Sequence, residues 1–431
     1  MQMNRTARLG FVVLLLLSVP AIAVSAEFSV GAAVGIVTPP AGSYLAGYGR
    51  DRRAESRHDD LYARAVVIQA QHEAVAIVVI DCIGLLYPDV QRIRARAVAL
   101  LDGEVLAPER IIVTSTHTHA GPDVAGLWGG HIFSSGRDEA YIDHLVETAA
   151  QQIVQAVAAL QPALMKAGSA TAVFSWVENR SEPGLLDNRI SVVQFVDDAG
   201  NSIATLTNYP CHPTVLGPDN HQVSADYVGG FYQFMDSSLG GVNLFLQGAI
   251  GGWVQPLQGD RSFALAREYG ELLGEVSSAV LLEAERIAQP AISFASTTFD
   301  IPLRNFGFRL LMFIGVLDRQ MFDGGLRTEV AWFSVGGVQI ATHPGETSPA
   351  YSIATRNLMG NPRHSMVLGL GLDALGYILK PEFFTDPESY PHADYLTTVS
   401  VGPAAAPRLM QALQTIVPQT QPGQSGTGAG R

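Results

Sequence analysis

The chain has 431 residues, 47% of them apolar and 16% charged, which is ample for a sizeable interior and argues against general disorder. Its formal charge is −13, with acidic groups scattered and no basic stripe to neutralise phosphates, so nucleic acid is set aside as a partner. Two cysteines, Cys82 and Cys211, make no disulfide framework; buried free thiols are the default and a single disulfide is the other reading.

Residues 1–26 begin with Arg5 and Arg8, continue through an apolar core from Phe11 to Val19, and end on Val24, Ser25 and Ala26. This is the layout of a cleaved secretory signal peptide, placing the mature protein in a secreted or periplasmic setting; a retained membrane anchor is the competing reading. Two apolar, β-branched runs at 63–70 and 74–80 are separated by a turn-like Gln-His-Glu and predict a hairpin. Helical spacing follows over 90–101, then a strand over 110–116. Apolar residues every three or four positions predict a long helix over 140–160.

Strands are expected at 163–167, 190–195 and 203–209, helices at 232–238 and 263–289, and strands again at 291–300, 328–335 and 338–342. This irregular alternation predicts an α/β fold of mixed β-sheets flanked by helices, as a single large catalytic domain over 27–416. The strongly apolar stretch 306–322 reads as a buried helix, or as an apolar wall or lid that admits a hydrocarbon chain. Residues 417–431 are read as a disordered tail, because Gln, Gly, Ser and Thr dominate from Gln419 onward.

The strand at 110–116 runs into Thr116-His117-Thr118-His119-Ala120-Gly121-Pro122. On a strand, residues two apart share a face, so His117 and His119 would point the same way where strand gives way to loop. Paired imidazoles suit zinc, although a hydrogen-bonded structural pair uses the same pattern. Four further places carry chemistry: Asn179-Arg180-Ser181, His212 clamped between Pro210 and Pro213, Glu346 after Pro344-Gly345, and Tyr377 in apolar surroundings. Asp81, ending its own strand, is a candidate to orient a ligand histidine.

Taken together and in this order, these segments resemble the neutral/alkaline non-lysosomal ceramidases, from Gly31–Pro39 near the start to about Ile416. The resemblance implies a Zn²⁺ ion held by His117, His212, Glu346 and Tyr377. It implies His119 as the proton shuttle, with Arg180 and Tyr395 at the substrate end. The implied activity is hydrolysis of the amide bond of ceramide or a related N-acyl lipid by metal-activated water. The implied partner is a lipid-like small molecule, with peripheral membrane contact.

Three departures stand against the family pattern. The family's G-D-V-S-P-N-like segment, with its active-site serine, corresponds to Gln247–Pro256, which has no serine. The tract 215–227 is more similar to a bacterial ceramidase-like branch, and the family's C-terminal immunoglobulin-like domain has no counterpart. Cleavage of another acyl bond, an ester or lactone, and a non-catalytic zinc- or lipid-binding module are therefore the alternatives. Manganese and iron accept the same ligands as zinc.

Overall fold

Two five-stranded sheets pack face to face, each with helices on its outer surface, and a four-stranded sheet closes one end. The computed structural model describes residues 28–102, 105–257, 259–288 and 290–420; the expected leader lies outside them. In the first sheet the order is Ile111–Ser115, Glu73–Ile80, Tyr62–Ala70, Phe28–Ile36, Gln161–Pro162. The predicted hairpin is present, with Ala70 opposite Glu73 and Gln71 at φ 54° turning the chain. Past Glu73, every residue of the Glu73–Ile80 strand is buried. That is why its sequence is a continuous apolar run and not an alternating one.

The second sheet is ordered Val242–Gln247, Ser202–Tyr209, Arg189–Val196, Leu164–Thr171, Glu285–Ile287. The third is ordered Ile292–Pro302, Gly325–Val335, Val338–Thr342, Ser365–Leu368. Each sheet is mainly antiparallel but contains a parallel pair: Glu73–Ile80 with Ile111–Ser115, Ser202–Tyr209 with Val242–Gln247, and Val338–Thr342 with Ser365–Leu368. A helix connects the strands of each pair, Tyr87–Leu100, Tyr227–Ser238 and Pro349–Leu358 respectively, as a parallel crossover requires. The carboxyl ends of parallel strands are where α/β sheets present their ligand sites.

Those ends are sutured by residues 369–372. Gly369 N–H donates to the Gln247 carbonyl (2.9 Å), Leu372 N–H to the Val113 carbonyl (2.7 Å), and the Thr114 hydroxyl to the Gly369 carbonyl (3.1 Å). One short segment therefore ties all three sheets together beside the histidines. Deeper in, Arg94 forks onto Glu329 at 2.7 and 3.1 Å, and the Tyr87 hydroxyl donates to the same carboxylate (3.2 Å). Both partners of this pair are almost fully buried. Glu329→Ala leaves the guanidinium charge buried and unpaired, and should destabilise the protein by about 3–5 kcal/mol in denaturant unfolding. A loss below about 1 kcal/mol would mean that Arg94 finds water or another partner.

Three expectations need correction. The helix from Phe263 ends at Leu282, and Glu285–Ile287 is instead an edge strand paired with Leu164–Thr171. Apolar Ile287 continues the helical pattern, but the backbone groups of Lys166 and its neighbours offer that segment a ladder. The final helix, Ala405–Thr420, runs into the expected tail, whose remainder, 421–431, lies outside the described residues. The apolar stretch 306–322 is not a buried helix: helix Phe306–Phe313 buries Leu311, while Phe306 and Phe313 are 77% and 87% exposed. Among the described residues no helix is long and apolar enough to cross a membrane.

Candidate metal centre and active site

The strand carrying the two histidines stops at Ser115, and His117 sits at φ 71°, so strand alternation is not what brings the imidazoles together. Tertiary hydrogen bonds do. His117 N–H donates to the Cys82 carbonyl (2.9 Å), and its ring Nδ1 meets the Ile83 carbonyl at 2.5 Å. His212 is held in the same way, with both its N–H (2.9 Å) and Nδ1 (2.8 Å) on the Val254 carbonyl. A carbonyl at Nδ1 can only accept, so the proton sits there and Nε2 is left as a lone pair. Two locked lone pairs thus point into one space.

His119 follows a different rule. Its carbonyl is gripped by the Arg52 guanidinium, and its Nε2 lies 3.2 Å from Nε2 of His117. Its buried Nδ1 has no hydrogen-bond partner among the described residues. The ring rests on Gly47, where an added Cβ would lie 2.3 Å from Nδ1 and where φ +94° already favours glycine.

Glu346 completes the group. Its Oε2 lies 3.1 Å from His212 Nε2 and 3.4 Å from His117 Nε2. Its strand pairs in parallel with the one bearing Tyr377, with the two residues in register. The Tyr377 phenol lies beside the Glu346 carboxylate and receives the Trp253 indole N–H at 2.6 Å. The donor atoms of His117, His119 and His212 all lie within 4.8 Å of one another. His117, His212, Glu346 and Tyr377 thus lie together, and the three imidazoles, His119 included, form the group that could hold a metal ion.

Burial alone would raise the Glu346 carboxyl, but its proximity to His117 and His212 outweighs burial and holds the group well below the usual carboxylate range. Burial pushes His119 and His212 below the usual imidazole range, and the neighbouring imidazoles push the same way. Neutral imidazoles and an ionised carboxylate are the protonation states that a cation requires. The donor set fits zinc: nitrogen and oxygen ligands, each of the two locked imidazoles backed by a carbonyl. Because protonation of His212 is displaced to lower pH, that ligand should stay available around the ordinary imidazole midpoint near 6.5, and bound metal should hold level from pH 8 down to about 6.5. Metal analysis after dialysis at each pH checks this; half-loss above about pH 6.5 would contradict it.

Two clefts meet at the histidines. An apolar one is walled by Ile83, Leu86, Leu127, Phe308, Met312 and Leu317. The inner face of helix Phe306–Phe313 thus forms the apolar wall, the second of the two readings of that stretch. A polar one carries Tyr48, Arg180, Thr214, Gln255 and Arg261. Gly47, His119, Tyr377 and Tyr395 line both. Arg180 approaches the Trp253 ring at 5.7 Å, and Tyr395, 51% exposed, lies 5.4 Å from the same ring. Arg180 and Tyr395 both line the polar cleft.

Asp81 does not orient a histidine. It is buried, accepting the Tyr62 N–H (2.9 Å) and facing the Tyr232 hydroxyl, and burial pushes its carboxyl up to about 7. Backbone carbonyls do the orienting instead. Cys82 and Cys211 are both free and buried.

Three functional parts lie in Gln247–Pro256, a segment that the family pattern marks only by its missing serine. Gln247, fully buried, donates through Nε2 to the carbonyls of Thr116 (3.0 Å) and Cys211 (2.8 Å), the residues immediately before His117 and His212. Its Oε1 accepts the N–H groups of Cys211 (3.1 Å) and Gly248 (3.0 Å). Trp253, at φ 63°, holds Tyr377, and Val254 holds His212. The segment Gln247–Pro256, lacking the expected serine, is thus a clamp around the site. A glutamine ending an apolar strand was the available signal for it.

The architecture and the site define an α/β protein with a buried histidine–carboxylate centre between an apolar and a polar cleft. The model of the neutral/alkaline non-lysosomal ceramidase N-terminal region matches residues 28–269, and the chain belongs to that family. Neutral ceramidase of Pseudomonas aeruginosa is 28% identical over 240 residues, 52% of this chain and 36% of that protein. Neutral ceramidase 2 of Arabidopsis thaliana is 28% identical over 221 residues, 47% of this chain and 28% of its own length. The matched part thus spans about a third of these relatives. The crystal structure of neutral ceramidase from P. aeruginosa superposes with a TM-score of 0.75 at 17% identity, covering 94% of this chain and 76% of that one. A ceramidase complexed with C2 gives 0.74 at 16% identity, covering 94% and 77%. The fold is shared over nearly the whole chain.

Proposed function

We propose that this protein is an exported, zinc-dependent amidohydrolase that cleaves the amide bond of ceramide or a related N-acyl lipid. One observation carries the reading: two carbonyl-locked imidazoles, a carboxylate and a phenol converge where an apolar cleft meets a polar one. His117, His212, Glu346 and Tyr377 would hold a zinc ion, which when bound would supply an activated water of pKa about 7 and a Lewis acid for an amide carbonyl.

The chain's own residues do the rest. The Ile83 and Val254 carbonyls keep the His117 and His212 rings from turning. Trp253 fixes the Tyr377 phenol against Glu346, so that corner of the site is rigid. The apolar cleft takes the acyl chain, with Phe308, Met312 and Leu317 against it and bulk water kept out. His119, neutral and unlocked at Nδ1, carries a proton to the amine nitrogen as the C–N bond breaks. Arg180 and Tyr395 face the amine half and the charge that develops on the carbonyl oxygen. The leader at 1–26 supports export, and exposed Phe306 and Phe313 on the cleft-lining helix support contact with a lipid surface.

The test is release of fatty acid from an N-acyl-sphingosine by purified protein. Release should stop with a chelator and return with Zn²⁺. Turnover of matched esters but no amide would favour a different acyl bond, and no chelator-sensitive turnover of either would end the hydrolase reading.

A further inference from the structure

The polar cleft is charged in a way that the chain as a whole is not. The protein carries a net charge of −13, yet the cleft is lined by Arg180 and Arg261 and, among the described residues, by no carboxylate. Neither guanidinium spends its donors. Among the described residues their side chains make no hydrogen bonds, only loose ion pairs: Arg180 with Glu178 at 4.0 Å and Arg261 with Asp219 at 3.9 Å. Asp219 is 94% exposed, so water screens most of that attraction. Arg261 is nonetheless placed. Its side chain lies over Gly217, where an added Cβ would come within 2.6 Å of it and where φ is +70°.

Two arginines with free planar donors, facing a cleft without acids, match a carboxylate or phosphate. A neutral diol or alcohol head group would leave both charges uncompensated. The same cleft opens onto His119 and Tyr377, whereas the apolar cleft on their other side is suited to a hydrocarbon chain. A substrate laid across the histidines has its acyl chain on one side and its amine half beside the arginines.

We infer that the preferred substrates are N-acyl amines whose amine half carries an anionic group, N-acyl amino acids foremost. This rests on the hydrolase reading above and narrows it. The reaction balances as the amide plus water: a C–O bond forms at the acyl carbon, the C–N bond breaks, and the nitrogen takes up a proton. The products are a fatty acid and an amino acid.

Three compounds with one acyl chain test this on the full-length, metal-loaded protein: N-lauroylglycine, N-lauroylethanolamine and the O-phosphate of the latter. At least one anionic compound should exceed the neutral one in kcat/KM by about 10–100-fold, the worth of a charge-assisted hydrogen bond, with the difference in KM. Whichever anion leads identifies carboxylate or phosphate as the source. Arg261→Ala should shrink that ratio and Arg261→Glu should invert it. Equal or better turnover of the ethanolamide, or a ratio that neither substitution moves, would overturn the inference while leaving the hydrolase standing. If no amide is cleaved, the hydrolase reading fails, and calorimetric binding of the three compounds decides the cleft on its own. Tighter binding of the anions that Arg261→Glu abolishes supports it; equal affinities overturn it.

Discussion

His119→Ala should reduce kcat by about 10²–10⁴-fold while the protein still carries its metal, whereas His212→Ala should lose the metal itself. The contrast follows from what each ring touches. His117 and His212 both have Nδ1 on a backbone carbonyl, the arrangement that fixes a ligand's tautomer and direction. His119 lies equally close to the centre, at 3.2 Å from His117, but its Nδ1 has no partner among the described residues. A ring without that lock can exchange a proton between its nitrogens, which suits a shuttle and ill suits a ligand. Metal content and kcat measured on both variants separate the roles. If His119→Ala loses metal as His212→Ala does, three imidazoles form the centre and the acid must be sought elsewhere among the residues that line the clefts, such as Tyr395.

Gln247→Glu should weaken metal binding by about 10–100-fold without any change at a ligand. Gln247 is the bridge between the two packed sheets at their carboxyl ends. Its amide N–H₂ joins the carbonyl preceding His117 to the carbonyl preceding His212, so it sets the separation of the two imidazoles. Glutamate keeps the shape and both acceptor contacts, to Cys211 and Gly248, but faces the two carbonyls with oxygen instead of donors. Chelator competition reports the metal dissociation constant, and denaturant unfolding of the metal-free protein reports stability. A loss of stability with unchanged metal affinity would reduce Gln247 to a structural residue. Gln247→Met, which removes both kinds of contact, should be worse on both counts.

Much of the fold was legible because its signals are local. The hairpin of Tyr62–Ala70 with Glu73–Ile80, the long helix Glu139–Ala158 and the strands at Arg189–Val196 and Ser202–Tyr209 follow from apolar period and turn residues. Reading failed where a partner decided the outcome. Glu285–Ile287 takes its extended form from the edge of the second sheet, and 306–322 has the composition of a core helix but is used as a wall with one wet face. The pairing of His117 with His119 was anticipated on the wrong ground: the strand ends before them, and a left-handed turn at His117 held by Cys82 and Ile83 sets the geometry.

The primary structure alone determined which side chains are available: two histidines beside a strand end, a third between prolines, a glutamate after Pro-Gly and a tyrosine among apolar residues. Each stands at a strand-to-loop transition, and such transitions are written in neighbouring residues. Their convergence was decided only in three dimensions. His117 and His212 follow the ends of strands in two different sheets, and Glu346 lies on a short strand paired with Tyr377. The contacts that bring the imidazoles within 3.1 to 3.4 Å of the carboxylate are made by residues 369–372, Gln247 and Val254, remote in the chain from the residues they serve. Hydrogen bonds of that kind depend on register between distant strands, and no local pattern of polarity encodes register.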